Sequence, residues 1–204
     1  MSLSIKEIYD KIASEFNTTR VRIWGSVKKF LTSLEPNSFL LDNGCGNGKN
    51  ILYRPDLNFV GIDISEEQVN ICLKKGIDAE VCSMTALSFP DNYFDNMICI
   101  ASYHHLDNDL DRALALNEMY RCIKPNGQIL LTVWAKEQFE GSTFNFTSEN
   151  EKVPWKSKDG TIYYRYYHIY SKGDLEKEVT RLAPKFKIED CGYELGNWWI
   201  ILVK

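Results

Sequence analysis

The sequence of 204 residues has no long apolar run and no cysteine pattern typical of a metal site. A membrane-spanning helix needs about 20 apolar residues, and no segment approaches that length. The six cysteines are scattered without a C-x-x-C pair or a close histidine, so we expect no bound metal and mostly buried, reduced thiols. Residues 1–16 carry Glu7, Asp10 and Glu15 instead of the apolar centre of a secretory signal. A cytoplasmic or nuclear location is therefore expected.

An excess of positive charge is also missing. The 24 Lys and Arg residues face 28 Asp and Glu residues, which gives a formal net charge of -4. Proteins that grip nucleic acid usually present a basic face, so the overall charge does not favour a nucleic-acid substrate. With 44% apolar and 25% charged residues, the composition is that of an ordinary folded chain.

Apolar residues recur at helical spacing up to about residue 35, and short strands then alternate with helices. We predict two leading helices within about 1–35, the second capped by Ser26, and an excursion over the active site at about 136–162. The predicted strands are 39–41, 59–62, 79–82, 96–102, 128–134, 163–170, 186–193 and 198–203. The predicted later helices are 65–75, opened by a capping box of Ser65 and Gln68, 110–123, and 173–182, capped by Ser171. This alternation implies a parallel sheet in a single domain, 1–204.

A glycine-rich turn lies between the first predicted strand and the following segment. Residues 42–48 read D-N-G-C-G-N-G, and glycines there let the backbone turn sharply and approach a ligand. A dinucleotide fingerprint would need a third glycine where Lys49 stands, so the pattern favours S-adenosylmethionine over NAD. Asp63 ends the next strand, where a carboxylate can accept hydrogen bonds from both ribose hydroxyls. The alternative is that Asp63 is an ordinary acid at a helix N-terminus.

These residues resemble the class I methyltransferases over nearly the whole chain, with Asp42 and the glycine loop as the first motif, residues 61–63 as the second and R-C-I-K-P-N-G at 121–127 as a later turn. The resemblance implies a Rossmann-like, doubly wound α/β fold with a seven-stranded sheet, mostly parallel with a late antiparallel strand, and helices on both faces. It also implies S-adenosyl-L-methionine as cofactor. The implied cofactor-binding residues are Asp42, Gly44, Cys45, Gly46, Gly48, Asp63, Ile64, Ser83, Met84 and Ala101. Asn43 and Ser83 depart from the usual residue types, so we expect weakened cofactor affinity.

Several short strings outside the cofactor half carry a narrower resemblance. W-A-K-E-Q at 134–138, R-Y-Y-H-I-Y at 165–170 and N-W-W at 197–199 occur in order. Together they resemble the eukaryotic tRNA methyltransferases that complete 5-methoxycarbonylmethyluridine at the anticodon wobble position, including the methyltransferase domain fused to an AlkB-type oxygenase. The resemblance implies esterification of the carboxylate of 5-carboxymethyluridine. The implied catalytic residues are Arg20, His104, Arg165 and His168, and the implied substrate-binding residues are Trp24, Trp134, Tyr166 and Trp198.

A carboxylate acceptor has a pKa near ~4 and is ionised at neutral pH, so the implied reaction needs no general base. It needs groups that orient the acceptor, which suits arginine. Strand alternation puts Arg165 and His168 on opposite faces. Two other functions stay open at this point: a small-molecule methyltransferase, and a catalytically weak relative that binds RNA or a partner.

The same resemblance implies a small zinc-binding activator protein that forms a heterodimer with the chain. The third predicted strand, within residues 78–83 (Asp78 to Ser83), lies at an open edge in the usual strand order of this class. Because an open edge presents unpaired backbone groups, a partner is expected to add a strand there.

Overall fold

The fold, described for residues 3–204 of a computed structural model, centres on one seven-stranded sheet. Its order is β3-β2-β1-β4-β5-β9-β8, and β9 alone runs antiparallel to its neighbours. These strands are β1 Phe39–Asn43, β2 Asn58–Asp63, β3 Ala79–Val81, β4 Phe94–Ile100, β5 Ile123–Trp134, β8 Lys187–Glu194 and β9 Asn197–Val203. The predicted fold class is confirmed. None of the helices within the described residues is long and apolar enough to cross a membrane.

Helices cover both faces of this sheet, and each buries side chains along one of its sides. The helices are α1 Ile5–Thr19, α2 Gly25–Ser33, α3 Glu66–Lys74, α4 Asp109–Cys122 and α5 Asp174–Leu182. The apolar sides of α4 and α5 pack into the main core cluster. Val27, Phe30 and Leu31 of α2 pack on the opposite face, against Ile98 and Leu130 of the sheet. Burial of these side chains, rather than helix propensity, holds the helices in place.

The N-terminus of α2 is capped by a residue that is distant in the sequence. α2 begins at Gly25 with Trp24 as its N-cap, so the predicted Ser26 cap is wrong. The Glu194 carboxylate, from β8, accepts hydrogen bonds from the backbone N–H of both Gly25 and Ser26 at 2.7 and 2.8 Å. A distant carboxylate therefore satisfies the helix N-terminus and complements its dipole.

Two other predicted caps need correction. Ser65 does cap α3, but its hydroxyl acts alone, accepting from the backbone N–H of Gln68. The Gln68 side chain has no hydrogen-bond partner in residues 3–204. Gly173, in the left-handed region at φ 83°, is the N-cap of α5. Ser171 instead donates its backbone N–H to Asp174, so its predicted capping role is wrong.

The predicted excursion contains a strand. β6 Asn150–Lys156 pairs antiparallel with β7 Ile162–His168 in a separate two-stranded hairpin. The sequence pattern does not indicate β6, because Val153 is its only fully buried side chain and the alternation of apolar and polar residues is weak. Pro154 is also unusual within a strand. The hairpin stands beside the carboxyl ends of the main strands and forms one wall of the cavity described next.

Candidate active site

The glycine loop turns sharply at the carboxyl end of β1. Gly44, Gly46 and Gly48 all have positive φ, at 84°, 53° and 74°. A side chain at position 44 would collide with Ser102, the residue two beyond β4. Glycine is therefore required there, and the loop leaves its backbone open towards the cavity.

A cavity of about 600 Å³ lies over the carboxyl ends of β1, β2, β4 and β5. This volume is within the range of small-molecule and cofactor sites. Several buried polar side chains that line it have atoms without a hydrogen-bond partner in the described part of the chain, namely Asn43, Asn50, Gln68, Arg165 and Asn197. Because buried polar atoms are normally satisfied, the site is built for a polar ligand.

Asp63 connects this cavity to the glycine loop. One carboxylate oxygen accepts the Gly46 N–H at 2.9 Å, and the other accepts the Ser65 N–H at 2.9 Å. Burial raises the pKa of Asp63 to about 6, against the opposing effect of these hydrogen bonds. Asp63 thus lies just before α3 and also lines the cavity, and its role as acceptor for the ribose hydroxyls stays a prediction.

Asp42 and Gly48 are the two predicted cofactor residues that the cavity does not reach. The others line it: Gly44, Cys45, Gly46, Asp63, Ile64, Ser83, Met84 and Ala101. Both carboxylate oxygens of Asp42 are buried and have no hydrogen-bond partner among residues 3–204. Burial, together with the Asp63 carboxylate, raises the pKa of Asp42 to about 7. Asp42 therefore acts on the site through its charge from behind the loop.

Replacing Asp42 by asparagine is expected to stabilise the cofactor-free protein at pH 8 by roughly 2–4 kcal/mol. A buried carboxyl whose pKa is raised from 3.8 to about 7 destabilises the fold as pH rises through that window, since the folded state holds the proton more tightly than the unfolded state. Urea unfolding at pH 6, 7 and 8 should show wild-type stability falling more steeply than that of Asp42→Asn. Parallel curves would contradict the assignment.

A cationic wall faces the glycine loop from the hairpin side. The Arg165 guanidinium lies over the rings of Trp155 and Tyr167, at 5.2 Å from each centroid. Arg20, which ends α1, lies over Trp155 at 5.4 Å. Trp155 is itself fixed by a hydrogen bond from its indole N–H to Glu15. These aromatic rings hold two cations at the cavity without neutralising them.

The cavity is basic although the chain is acidic. Its charged lining consists of Arg20, Arg22, Lys49 and Arg165 against the single carboxylate of Asp63. None of these four cations belongs to an ion pair within residues 3–204. An anionic ligand would therefore gain charge-assisted hydrogen bonds there.

The histidine in the cavity is His105 and not His104. His104 is fully buried, and its Nδ1 accepts the backbone N–H of Trp134 at 3.1 Å, so the geometry argues against its predicted catalytic contact. His105 lines the cavity. Its Nδ1 donates to the Tyr166 carbonyl at 2.7 Å, and its Nε2 accepts from the Tyr9 hydroxyl at 2.8 Å. Burial lowers the pKa of His105 to about 3, with Arg165 acting in the same direction.

Three other predicted residues point away from the cavity. Tyr166 and His168 lie on the outer face of β7, where both approach Asn150. The prediction that Arg165 and His168 lie on opposite faces of this strand is therefore confirmed. Trp198 donates its indole N–H to Glu137 at 3.1 Å. These side chains hold the hairpin and the late strands, and the geometry does not place them against a ligand.

The predicted Trp24 and Trp134 do line the cavity. The Trp134 ring stacks on Tyr167 at a centroid distance of 4.3 Å and contacts Phe144 at 4.9 Å. Tyr9, Tyr167 and Phe144 also line the cavity and were not among the predicted site residues. Of these three residues, only Tyr167 could have been predicted from the sequence pattern. It is two residues from Arg165 on the same strand, so the two side chains share a face.

Part of the W-A-K-E-Q and N-W-W pattern is structural. Gln138 donates from its amide to the carbonyls of Ala135 and Gly196, and Glu137 accepts from Trp198. The two strings therefore tie the end of β5 to the turn before β9. In the described residues, no group of three or more His, Cys, Asp or Glu side chains is placed to hold a metal ion.

Comparison with known proteins agrees with this geometry. Residues 41–131 match the family model described as a methyltransferase domain. The chain is 32% identical to a tRNA (carboxymethyluridine(34)-5-O)-methyltransferase of Schizosaccharomyces pombe, over 98% of this chain and 96% of that protein. It is 29% identical to the corresponding alkbh8 enzyme of Xenopus tropicalis, over 98% of this chain but 40% of that protein.

Among solved structures, a putative methyltransferase in complex with the Haloferax volcanii Trm112 methyltransferase activator superposes with a TM-score of 0.73. It is 15% identical, over 98% of this chain and 97% of that one, and it supports the fold alone.

The sheet order, the glycine loop and the polar cavity define a class I S-adenosylmethionine-dependent methyltransferase. S-adenosyl-L-methionine fits the residues present, because Asp63 can accept from the ribose, Ser83 can bond the adenine and the glycine loop admits close approach. The chain belongs to the family of tRNA (carboxymethyluridine(34)-5-O)-methyltransferases. It spans nearly all of the fission yeast relative and less than half of the Xenopus one.

Proposed function

We propose that this chain esterifies the carboxylate of 5-carboxymethyluridine at the wobble position of tRNA, giving 5-methoxycarbonylmethyluridine. The observation that carries the proposal is the pair of guanidinium groups, Arg20 and Arg165, held at the cavity by Trp155 without a carboxylate partner. Two unpaired arginines beside the glycine loop are suited to a carboxylate acceptor.

The chemistry requires positioning more than proton transfer. Bound S-adenosylmethionine supplies an electrophilic methyl group on its sulfonium. The acceptor carboxylate is already ionised at neutral pH, with a pKa near ~4, so it needs no base. Arg165 and Arg20 orient it and hold its charge within the enclosed site. His105, kept neutral, cannot compete with the arginines for the anion.

Base recognition falls to the aromatic residues of the cavity. Trp24, the N-cap of α2, lines the cavity, and so does Phe144, whose exposed ring belongs to the loop after β5. Unstacked RNA bases commonly stack on aromatic rings. The basic residues gathered at this one cavity explain how an acidic chain holds RNA locally, since contact depends on local potential and not on net charge.

The test is mass spectrometry of tRNA nucleosides after incubation of carboxymethylated tRNA with the protein and cofactor. The result expected is conversion of 5-carboxymethyluridine to its methyl ester. Methylation of free carboxylic acids with no product in tRNA would favour the small-molecule alternative. Cofactor binding measured by calorimetry without transfer to either acceptor would favour a catalytically weak binding protein.

We further infer that a small protein partner, the zinc-binding activator implied by the resemblance, adds a strand beside β3 to form a heterodimer. The inference is supported by the position of β3 at the edge of the sheet, where β2 is its only paired strand within the described residues. Val81 is 50% exposed there, and no proline or basic residue protects residues 78–83. The acids Asp78 and Glu80 discourage nonspecific pairing and leave a complementary partner free to bind.

Co-expression with the activator is expected to raise the solubility, melting temperature and turnover of the chain. Val81→Pro should abolish that gain, because proline removes a backbone donor and disfavours pairing at the edge. Val81→Lys keeps the backbone donor, so the lone chain should fold as the wild type does. Its exposed charge opposes pairing at the edge, so the gain from the activator should still be reduced. Full stability and turnover of the lone chain would contradict the requirement.

A further inference from the structure

Lys49 is a partly buried cation directly after the glycine loop. Its Nζ donates to the Arg22 carbonyl at 2.9 Å and lies 5.7 Å from the centroid of the Trp24 ring. An ammonium has three donors, and within residues 3–204 no carboxylate lies at ion-pairing distance from this one. Two donors are therefore available to a ligand in the cavity that Lys49 lines.

Burial and the charge of Arg20 both lower the pKa of Lys49. The protein therefore holds a costly charge that an anion would stabilise. Asp42 favours the charged form from behind the loop, but it has no direct contact with the ammonium. An anion that enters the cavity would supply the direct contact that Asp42 does not make.

The position of Lys49 indicates which anion this is. The ribose acceptor Asp63 ends β2, and Ser83 follows the edge strand β3. A cofactor that places its ribose at Asp63 and its adenine near Ser83 directs its amino-acid end the other way, over β1 and β4. Lys49 lies on that side, beside Trp24, which packs on the cluster that includes Leu40 of β1 and Ile98 of β4.

We propose that Lys49 recognises the α-carboxylate of S-adenosylmethionine and makes the enzyme discriminate against a sulfonium that lacks it. Arg165, stacked between Trp155 and Tyr167 on the hairpin side, remains for the acceptor carboxylate. The two anions of the reaction thus bind to separate cations. This proposal concerns the cofactor, so it holds whichever acceptor the enzyme methylates.

The test compares binding of S-adenosylmethionine and decarboxylated S-adenosylmethionine, by calorimetry, to the full-length wild type and variants. Wild type should bind the complete cofactor about 10- to 100-fold more tightly, the range expected for one charge-assisted contact. Lys49→Met should bind the two ligands equally, and Lys49→Arg should restore part of the preference. Unchanged affinity of Lys49→Met for the decarboxylated ligand shows that the pocket is folded.

Arg22→Met and Arg20→Met are the matched controls, because each removes one neighbouring guanidinium and keeps Lys49. Both should retain the preference for the complete cofactor. The proposal is overturned if Lys49→Met keeps the wild-type preference, or if Arg20→Met loses it in place of Lys49→Met. It is equally overturned if Lys49→Met lowers turnover on tRNA with cofactor affinity unaltered, since Lys49 would then serve the acceptor.

Discussion

Replacing Arg165 by methionine is expected to lower turnover on carboxymethylated tRNA by about 100-fold while the Kd for S-adenosylmethionine changes less than about twofold. Removing one charged donor from an enclosed site typically costs this much in rate. Cofactor affinity should change little because Arg165 belongs to the hairpin, where its guanidinium lies over the rings of Trp155 and Tyr167. It is separate from the glycine loop and Asp63, which are predicted to hold the cofactor. Single-turnover methylation and calorimetry measure the two effects independently.

Two variants of the same strand control for folding. Arg165→Lys keeps the charge without the planar fork and should recover only part of the rate. His168→Ala alters the outer face of β7, beside Asn150, and should change turnover little. If Arg165→Met lowered cofactor affinity and melting temperature together with turnover, Arg165 would be supporting the fold instead of orienting the acceptor.

The parts of the site that could be predicted from sequence are those that one local segment determines. Glycines at 44 and 46 are required by backbone φ values that only a short turn sets. Asp63 follows from its place at the end of a strand. Arg165 and His168 were separated correctly because a strand alternates its faces whatever surrounds it. Each of these features depends on neighbours along the chain.

Other features depend on partners far along the chain, and these were missed. Ser26 looked like a helix cap, but Glu194, 168 residues away, supplies the acceptor. His104 and His105 both follow β4, and the short 3-10 turn that contains them decides which ring faces the cavity. The choice is fixed by Trp134 and Tyr9, which bond one ring each. No periodicity in the sequence carries that information.

Replacing Asp63 by alanine is expected to weaken S-adenosylmethionine binding by roughly 30- to 700-fold, which corresponds to the loss of about 2–4 kcal/mol. The change removes hydrogen bonds to the ribose, at least one of them charge-assisted. It also removes the acceptor for the Gly46 N–H, so the loop that cradles the cofactor is less ordered. Calorimetry measures the affinity, and Asp91→Asn, which changes an exposed carboxylate paired with Arg121, is the matched control.

The pH dependence of binding separates the ribose contact from the loop. Because burial raises the pKa of Asp63 to about 6, the cofactor-free protein is protonated there below that pH and must lose the proton to accept both hydroxyls. Affinity should therefore fall as pH drops from 7 to 5, by about tenfold for each unit below the pKa. Asp63→Asn keeps an acceptor for the loop but does not titrate, so its affinity for the cofactor should be low and nearly independent of pH over that range.

The neighbouring Asp42 also titrates, with a pKa of about 7, and it contributes to the change in wild-type affinity near pH 7. The Asp42→Asn variant lacks this contribution, so its profile isolates the loss of affinity near pH 6. Equal slopes for wild type and Asp63→Asn would show that the ribose is bound elsewhere.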